Sequence, residues 1–244
     1  MRPAHLLGIG AGVVLLSFPT QALAQQSGVS LELPNDLTSR SLQLIAAITV
    51  LSLAPGILMM VTCFPFLVTV LSILRQGIGL QQAPPNMLIV SLALFLTYYV
   101  MDPVFRDAWQ TGVQPMLNDQ ISPEDGVRLA FEPFRDFMSA RVEPGVYDRL
   151  AELRSEKEKA ASGTLDLSVL IPSFLLSEIE RAFKIGFLIF LPFLVIDLVV
   201  AAVLMAMGMM MVPPSVVSLP FKLAFFVVAD GWTLLAESLV RGYQ

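Results

Sequence analysis

The chain has 244 residues, of which 55% are hydrophobic and only 14% charged, and its mean hydropathy is +0.73. Soluble domains carry about 25% charged residues, so the composition is that of a membrane protein. The net charge of −5 argues against a nucleic-acid partner, which calls for a basic surface.

Residues 1–24 read as a secretory signal peptide. Arg2 supplies the positive start, "LLGIGAGVVLLSF" the apolar core and Ala22-Leu23-Ala24 the small-x-small cleavage form. Cleavage after Ala24 is expected in preference to an uncleaved anchor, because the helix breaker Pro19 precedes the site. It would remove His5, the one histidine, and leave one cysteine, Cys63. A chain without histidine has no Ser/His/Asp triad, no Cys/His pair and no His-ligated zinc. Cys63 lies in an apolar run and reads as a small core hydrophobe. Neither a phosphate-binding GxxxxGK[ST] loop nor a GxGxxG after a strand is present. An enzyme is not expected, and neither a cofactor nor a metal is implied.

From Ser41 to Leu74 there is no charge for 34 residues. That is ~51 Å of helix against a hydrocarbon core of ~30 Å, so one straight span cannot use it. Pro55-Gly56 and Pro65 are expected to break it near the middle. "RQGIGLQQAPPN", Arg75 to Asn86, reads as a turn-forming connector. The apolar part of the next segment, Met87 to Met101, is 15 residues, short for a span.

Asp102 to Asp166 differs in kind, with 13 of the 20 acids and 8 of the 15 bases. "SPED", Ser122 to Asp125, is a helix start: Ser as N-cap, Pro at the first position and acids in the first turn. Val127, Phe131, Phe134 and Met138 then fall on one helical face, and Pro133 should kink the helix. "DRLAELRSEKEKAASG" reads as a charged helix with a solvated face, running into a flexible turn.

The last third is apolar again, with Glu178, Glu180, Arg181, Lys184, Asp197, Lys222, Asp230 and Glu237 set inside it. Its two apolar arms form a hairpin turned at "MVPP". The expected fold is all-α: four hydrophobic segments in helical hairpins, with a charged extracytoplasmic region. The organisation is one helical domain, 25–244. It comprises a first hydrophobic hairpin at 41–105, the charged region at 106–166 and a second hairpin at 167–240. A cleaved signal peptide and four segments place the charged region outside the cell membrane together with the C-terminus.

Charges near a bilayer centre cost at least ~2.5 kcal/mol each, so these need partners or water. Glu178 to Arg181 and Glu180 to Lys184 are spaced for local helical pairs. A sharper reading gives Glu178 and Asp197 bases on another segment or subunit. Lys222, isolated in "LPFKLAFF", is the candidate base, and a Glu178–Lys222 contact is the specific expectation.

"MAMGMMMVPP", Met205 to Pro214, places five of twelve methionines in seven positions. Core packing is the ordinary use of such residues. The cluster nevertheless stands at a chain turn, where Gly208 and Pro213-Pro214 oppose regular helix. Around an axis of several copies these thioethers would form a deformable apolar closure.

Two long stretches, Phe64 to Val104 and Ile171 to Trp232, together with the signal peptide, carry a resemblance to the FliP/SctR family of type III secretion export-gate proteins. The signal peptide favours the flagellar branch. The resemblance covers essentially the whole chain. It implies a homo-oligomer of five copies assembled with FliQ and FliR in the bacterial inner membrane, at the flagellar basal body. It also implies contacts to FlhB and FlhA, with unfolded flagellar proteins as substrates. It implies that much of the apolar helix is raised above the bilayer and packed on protein, in keeping with the awkward segment lengths. It further implies that Met209, Met210 and Met211 form a methionine gasket, with Gly208, Pro213 and Pro214 shaping the loop. Met205 and Met207 fit helix packing better. An ion channel or secondary transporter subunit using Asp197 and Lys222, or a purely structural scaffold, stays open as an alternative.

Overall fold

The computed structural model describes residues 35–79, 84–153 and 166–243. The signal peptide and most of the charged run after residue 153 lie outside them. The chain divides into two compact units, residues 1–50 and 51–244. The fold is all-α, and no strand occurs among the described residues.

Helix α1, Asn35–Met60, crosses the unit boundary and contains Pro55. The expected break at Pro55-Gly56 is therefore corrected. The interruption falls at Val61–Cys63, where Thr62 Oγ1 donates to the Met59 carbonyl at 3.2 Å and accepts from Phe64 N–H at 3.4 Å. Helix α2, Phe64–Ile78, follows with Pro65 in its first turn. There a missing N–H costs nothing, because no intrahelical acceptor is available. Pro65 thus starts a helix and does not interrupt one. Arg75 to Ile78 belong to α2 as well, so the expected connector is shorter than "RQGIGLQQAPPN" and opens at Gly79, whose φ is 89°.

Helix α3 spans Asn86–Ala108 and continues through a π-helical turn, Trp109–Val113, into the short α4, Gln114–Leu117. The 32-residue stretch from Asn86 to Leu117 is long and apolar enough to cross a membrane. The 15-residue apolar count understated it, because the helix carries its Asp102–Arg106 pair, 3.0 Å apart on successive turns, and does not end there.

Helix α5, Pro123–Ser139, starts as its sequence indicates. Ser122 Oγ accepts from Asp125 N–H at 3.1 Å, with Pro123, Glu124 and Asp125 in the first turn. Pro133 lies inside this continuous helix. Phe134 and Met138 are buried and Phe131 is half-buried, while Val127 is exposed. The face turns by one position at its start because Gly126, not Val127, meets the preceding segment. A Cβ there would stand 2.7 Å from Met116 Cβ. Helix α6, Val146–Glu152, is seven residues, and the rest of the charged run lies outside the described residues.

Helix α7, Leu167–Ala206, runs 40 residues through Pro172 and Pro192, ~60 Å of rod. It packs most extensively along α2. Helix α8, Pro214–Val228, turns back against α7, and α9, Gly231–Arg241, follows at a bend of 62°. By length and composition the described residues hold two membrane-crossing helical stretches, Asn86–Leu117 and Leu167–Ala206. The pair α8–α9 makes a third only if the bent pair counts as one span. The expected four hydrophobic segments are not all of spanning length.

The core lies where α2, α3, α5 and α7 meet. Phe66, Leu67, Leu71, Met101, Met138, Leu170 and Phe174 are fully buried there. Phe137 packs edge-on to Phe174 at 5.8 Å, and Phe105 to Phe134 at 5.7 Å. Cys63 is wholly buried in this core, and its burial pushes the thiol pKa up to about 12. It is the small core hydrophobe its surroundings in the sequence suggest.

Candidate gate loop and its buried charge clusters

The loop between α7 and α8 is Met207 to Pro213. Gly208 has φ 74°, the left-handed conformation that L side chains resist. With it the helix closes in a Schellman arrangement: Gly208 N–H donates to the Met205 carbonyl at 3.0 Å, and Met209 N–H to Leu204 at 2.9 Å. Nothing lies within 4 Å of a Cβ built at Gly208, so the glycine serves the backbone angle and not a close approach. Pro213 is extended and Pro214 occupies the first turn of α8, where it is pre-organised for helix.

The side chains of this loop point away from the chain. Met211 is 98% exposed and Met210 85%, while Met209 is 40% exposed. Met205 and Met207 are exposed as well. Helix packing within the chain therefore does not describe them, and Met207 instead lines an apolar cleft. That cleft, of about 450 Å³, is lined by α7 and α8 residues including Val199, Val203, Val217 and Phe221. Five exposed apolar side chains, Met207, Met209, Met210, Met211 and Val212, thus form a contiguous patch of the kind that marks an interaction surface.

Two clusters of charge lie within the hairpin and its base. In the first, Lys222 on α8 is buried. Its Nζ donates to Asp197 Oδ2 on α7 at 2.6 Å and to the Gly77 carbonyl at 3.0 Å. Ser218, one turn before Lys222, donates to the other Asp197 oxygen at 2.5 Å. The Gly77 carbonyl belongs to the last turn of α2, where the helix dipole favours a cation. Three helices are thus tied at one ammonium.

In the second, Glu178 on α7 is wholly buried. Tyr243 donates its hydroxyl to Glu178 Oε2, and Arg141 Nε stands 3.5 Å from Oε1. Burial, and then the neighbouring carboxylate, push the Tyr243 pKa far above that of an ordinary phenol, so the hydroxyl stays protonated and donates. The Arg141 guanidinium lies 3.7 Å from the Tyr243 ring centroid. Arg141 and Arg181 both donate to the Gly242 carbonyl, at 2.8 and 3.1 Å. Lys184 pairs with Glu180 at 2.8 Å and with Glu143 at 3.2 Å.

The expected Glu178–Lys222 contact is not formed within the chain. Lys222 takes Asp197, and Glu178 takes Tyr243 and Arg141. The local Glu180–Lys184 pair forms as its spacing implies, whereas Arg181 turns from Glu178 to the Gly242 carbonyl. The partners that sequence reasoning missed are Arg141, Ser218, Tyr243 and the Gly77 carbonyl. Arg141 is one of several bases in the charged region and Tyr243 sits beyond the last helix, so no spacing pointed to either. Ser218 had a signal, since it lies one helical turn from Lys222 on the same face. No cluster of three metal-ligating side chains occurs among the described residues.

A family model described as the FliP family matches residues 47–239. The chain belongs to the FliP family. It is 48% identical over 236 residues to the flagellar biosynthetic protein FliP of Agrobacterium fabrum, covering 95% of this chain and 96% of that protein. It is 52% identical over 198 residues to that of Rhizobium meliloti, covering 80% and 81%. With that of Bacillus subtilis it shares 40% identity over 205 residues, covering 84% and 93%. The FliP match spans α2 to α8 entirely, so the gate loop and both charge clusters apart from Gly242 and Tyr243 lie within the family's own extent.

Proposed function

We propose that this chain is a core pore-forming subunit of the flagellar type III protein export apparatus, through which unfolded flagellar proteins pass during flagellum assembly. Membership of the FliP family supports the flagellar export setting. The observation that carries the pore reading is the α7–α8 loop, which presents Met209, Met210 and Met211 outward at the tip of an apolar hairpin. Thioether side chains deform without losing contact, so several such loops around an axis make a seal that yields to a passing chain and closes behind it.

In this reading residues 25–244 act as one domain. The hairpins 41–105 and 167–240 carry the assembly, the region 106–166 lies on the periplasmic side, and the signal peptide is removed after Ala24. The apolar cleft and the exposed aliphatic faces of α3 and α7 are covered by further copies, five in all, and by FliQ and FliR, with FlhB and FlhA bound at the inner membrane. The Asp197–Lys222 pair is closed on Ser218 and Gly77, which suits a structural tie better than an ion relay. That favours export over the channel or transporter alternative.

The test is replacement of Met209, Met210 and Met211 by Ala in the assembled complex. An intact complex that leaks small ions while closed is the expected result. An intact complex with unchanged leak removes the gasket role. Normal flagellar secretion in a strain lacking the chain removes the export reading altogether.

A further inference from the structure

The bend between α8 and α9 is held at two places, the elbow itself, where Thr233 Oγ1 donates to Asp230 Oδ1 at 3.2 Å, and the far end of α9. Asp230, at the elbow, has φ 48° and ψ 45°, a left-handed conformation in a residue with a side chain. Asp tolerates it better than most, yet right-handed helix is its lower-energy state there. No proline stands between Pro220 and Arg241, so nothing covalent prevents one helix from running through. At the elbow, Phe226 and Trp232 meet edge-on at 5.3 Å. Gly231 lets the Phe226 ring approach so closely that a Cβ would stand 2.3 Å from it. At the far end of α9, Leu239 is buried, Gly242 receives two guanidiniums, and Tyr243 enters the core. The Tyr243 ring is enclosed by Phe66 at 5.3 Å, Phe137 at 6.3 Å and the Arg141 guanidinium, and its hydroxyl meets the buried Glu178.

We infer that Tyr243 is a latch that keeps α8 and α9 a bent pair, and that releasing it yields one continuous helix from Pro214 to Arg241. The consequence is a change of reach. Alone, the 15 residues of α8 extend ~22 Å, short of a ~30 Å hydrocarbon core. The 28 residues from 214 to 241 extend ~42 Å and cross it. Tyr243 therefore decides whether this arm of the hairpin ends inside the protein or spans a bilayer. The inference stands apart from the export reading, since it concerns only the bend and the contacts that hold it.

Spin labels on cysteines replacing the exposed Val216 and Glu237, in a Cys63→Ala background of the full chain in nanodiscs, read the bend. At 62° the backbone sites are about 27.4 Å apart, and in a straight helix about 31.5 Å. Tyr243→Ala should lengthen the distance by about 4 Å, while Tyr243→Phe, which keeps the ring, should stay short. An unchanged distance in folded Tyr243→Ala overturns the latch. Should that variant fail to fold, Asp230→Ala disfavours the left-handed elbow without touching the latch. A second, longer population is then expected, growing further in the double variant Asp230→Ala, Tyr243→Phe. A single short distance in both would overturn the inference.

Discussion

Replacing Lys222 by Met tests the tie at the base of the hairpin. The Lys222 side chain is 6% exposed, and its ammonium is bonded to Asp197 at 2.6 Å and to the Gly77 carbonyl at 3.0 Å. Removing one member of a fully buried pair costs about 3–5 kcal/mol, chiefly through the charge left behind. Here Asp197 keeps 33% of its side chain exposed and retains the Ser218 hydroxyl. Water and that bond relieve the stranded carboxylate, which lowers the expected cost to about 2–3 kcal/mol. For a chain of this size that is a fall in Tm of roughly 4–12 °C. Asp197→Asn in the same background removes the stranded charge, so the double variant should recover about 1 kcal/mol or more of the summed single losses. The assay is a double-mutant cycle by thermal unfolding in detergent, run in parallel for Glu178→Gln with Lys222→Met. The second cycle should be additive within ~0.5 kcal/mol, because each of those residues has its own partners. Coupling in the Glu178–Lys222 cycle and none in the Asp197–Lys222 cycle would refute the pairing described above.

Ser122→Ala should cost about 1 kcal/mol through loss of the bond to Asp125 N–H, read as a lower Tm, while Ser122→Asp should restore most of it. Gly208→Val should cost about 1–2 kcal/mol, because a β-branched residue resists φ 74°. Gly208→Asn should be milder, and equal stability of the two would contradict the left-handed closure of α7. Cys63 tests burial by pH. Only the thiolate reacts, and a pKa raised to about 12 leaves little thiolate at pH 8.5. Maleimide labelling of the folded chain should therefore run about a thousandfold slower than in denaturant, where the pKa is ~8.5. It should rise about tenfold per pH unit while the fold holds. Equal rates would place Cys63 at the surface.

Much of the molecule was legible along the chain because it rests on local rules. An excess of apolar over charged residues gives a helical membrane-type fold, since only a helix satisfies its own backbone within one segment. Ser122-Pro123 and Gly208 with Pro213-Pro214 act through their own backbone angles and nearest amides, so their positions could be read without a neighbour. Proline was legible only in part. Its cost depends on whether the lost N–H was needed, and that separates Pro65, at a helix start, from Pro55, within a helix.

What the tertiary structure alone decided is which side chains meet. Hydrophobic period marks a face as apolar but not what covers it, hence Val127 exposed where Phe134 is buried. Charge partners are chosen by proximity in space among several candidates of equal sign. Lys222 chose Asp197 over Glu178, and Glu178 reached Arg141 and Tyr243, 37 and 65 residues away along the chain. The elbow at Asp230 belongs to the same class. Its local sequence permits a straight helix, and the bend is decided by contacts in space: Phe226 with Trp232 across the elbow and the cluster around Tyr243 beyond α9.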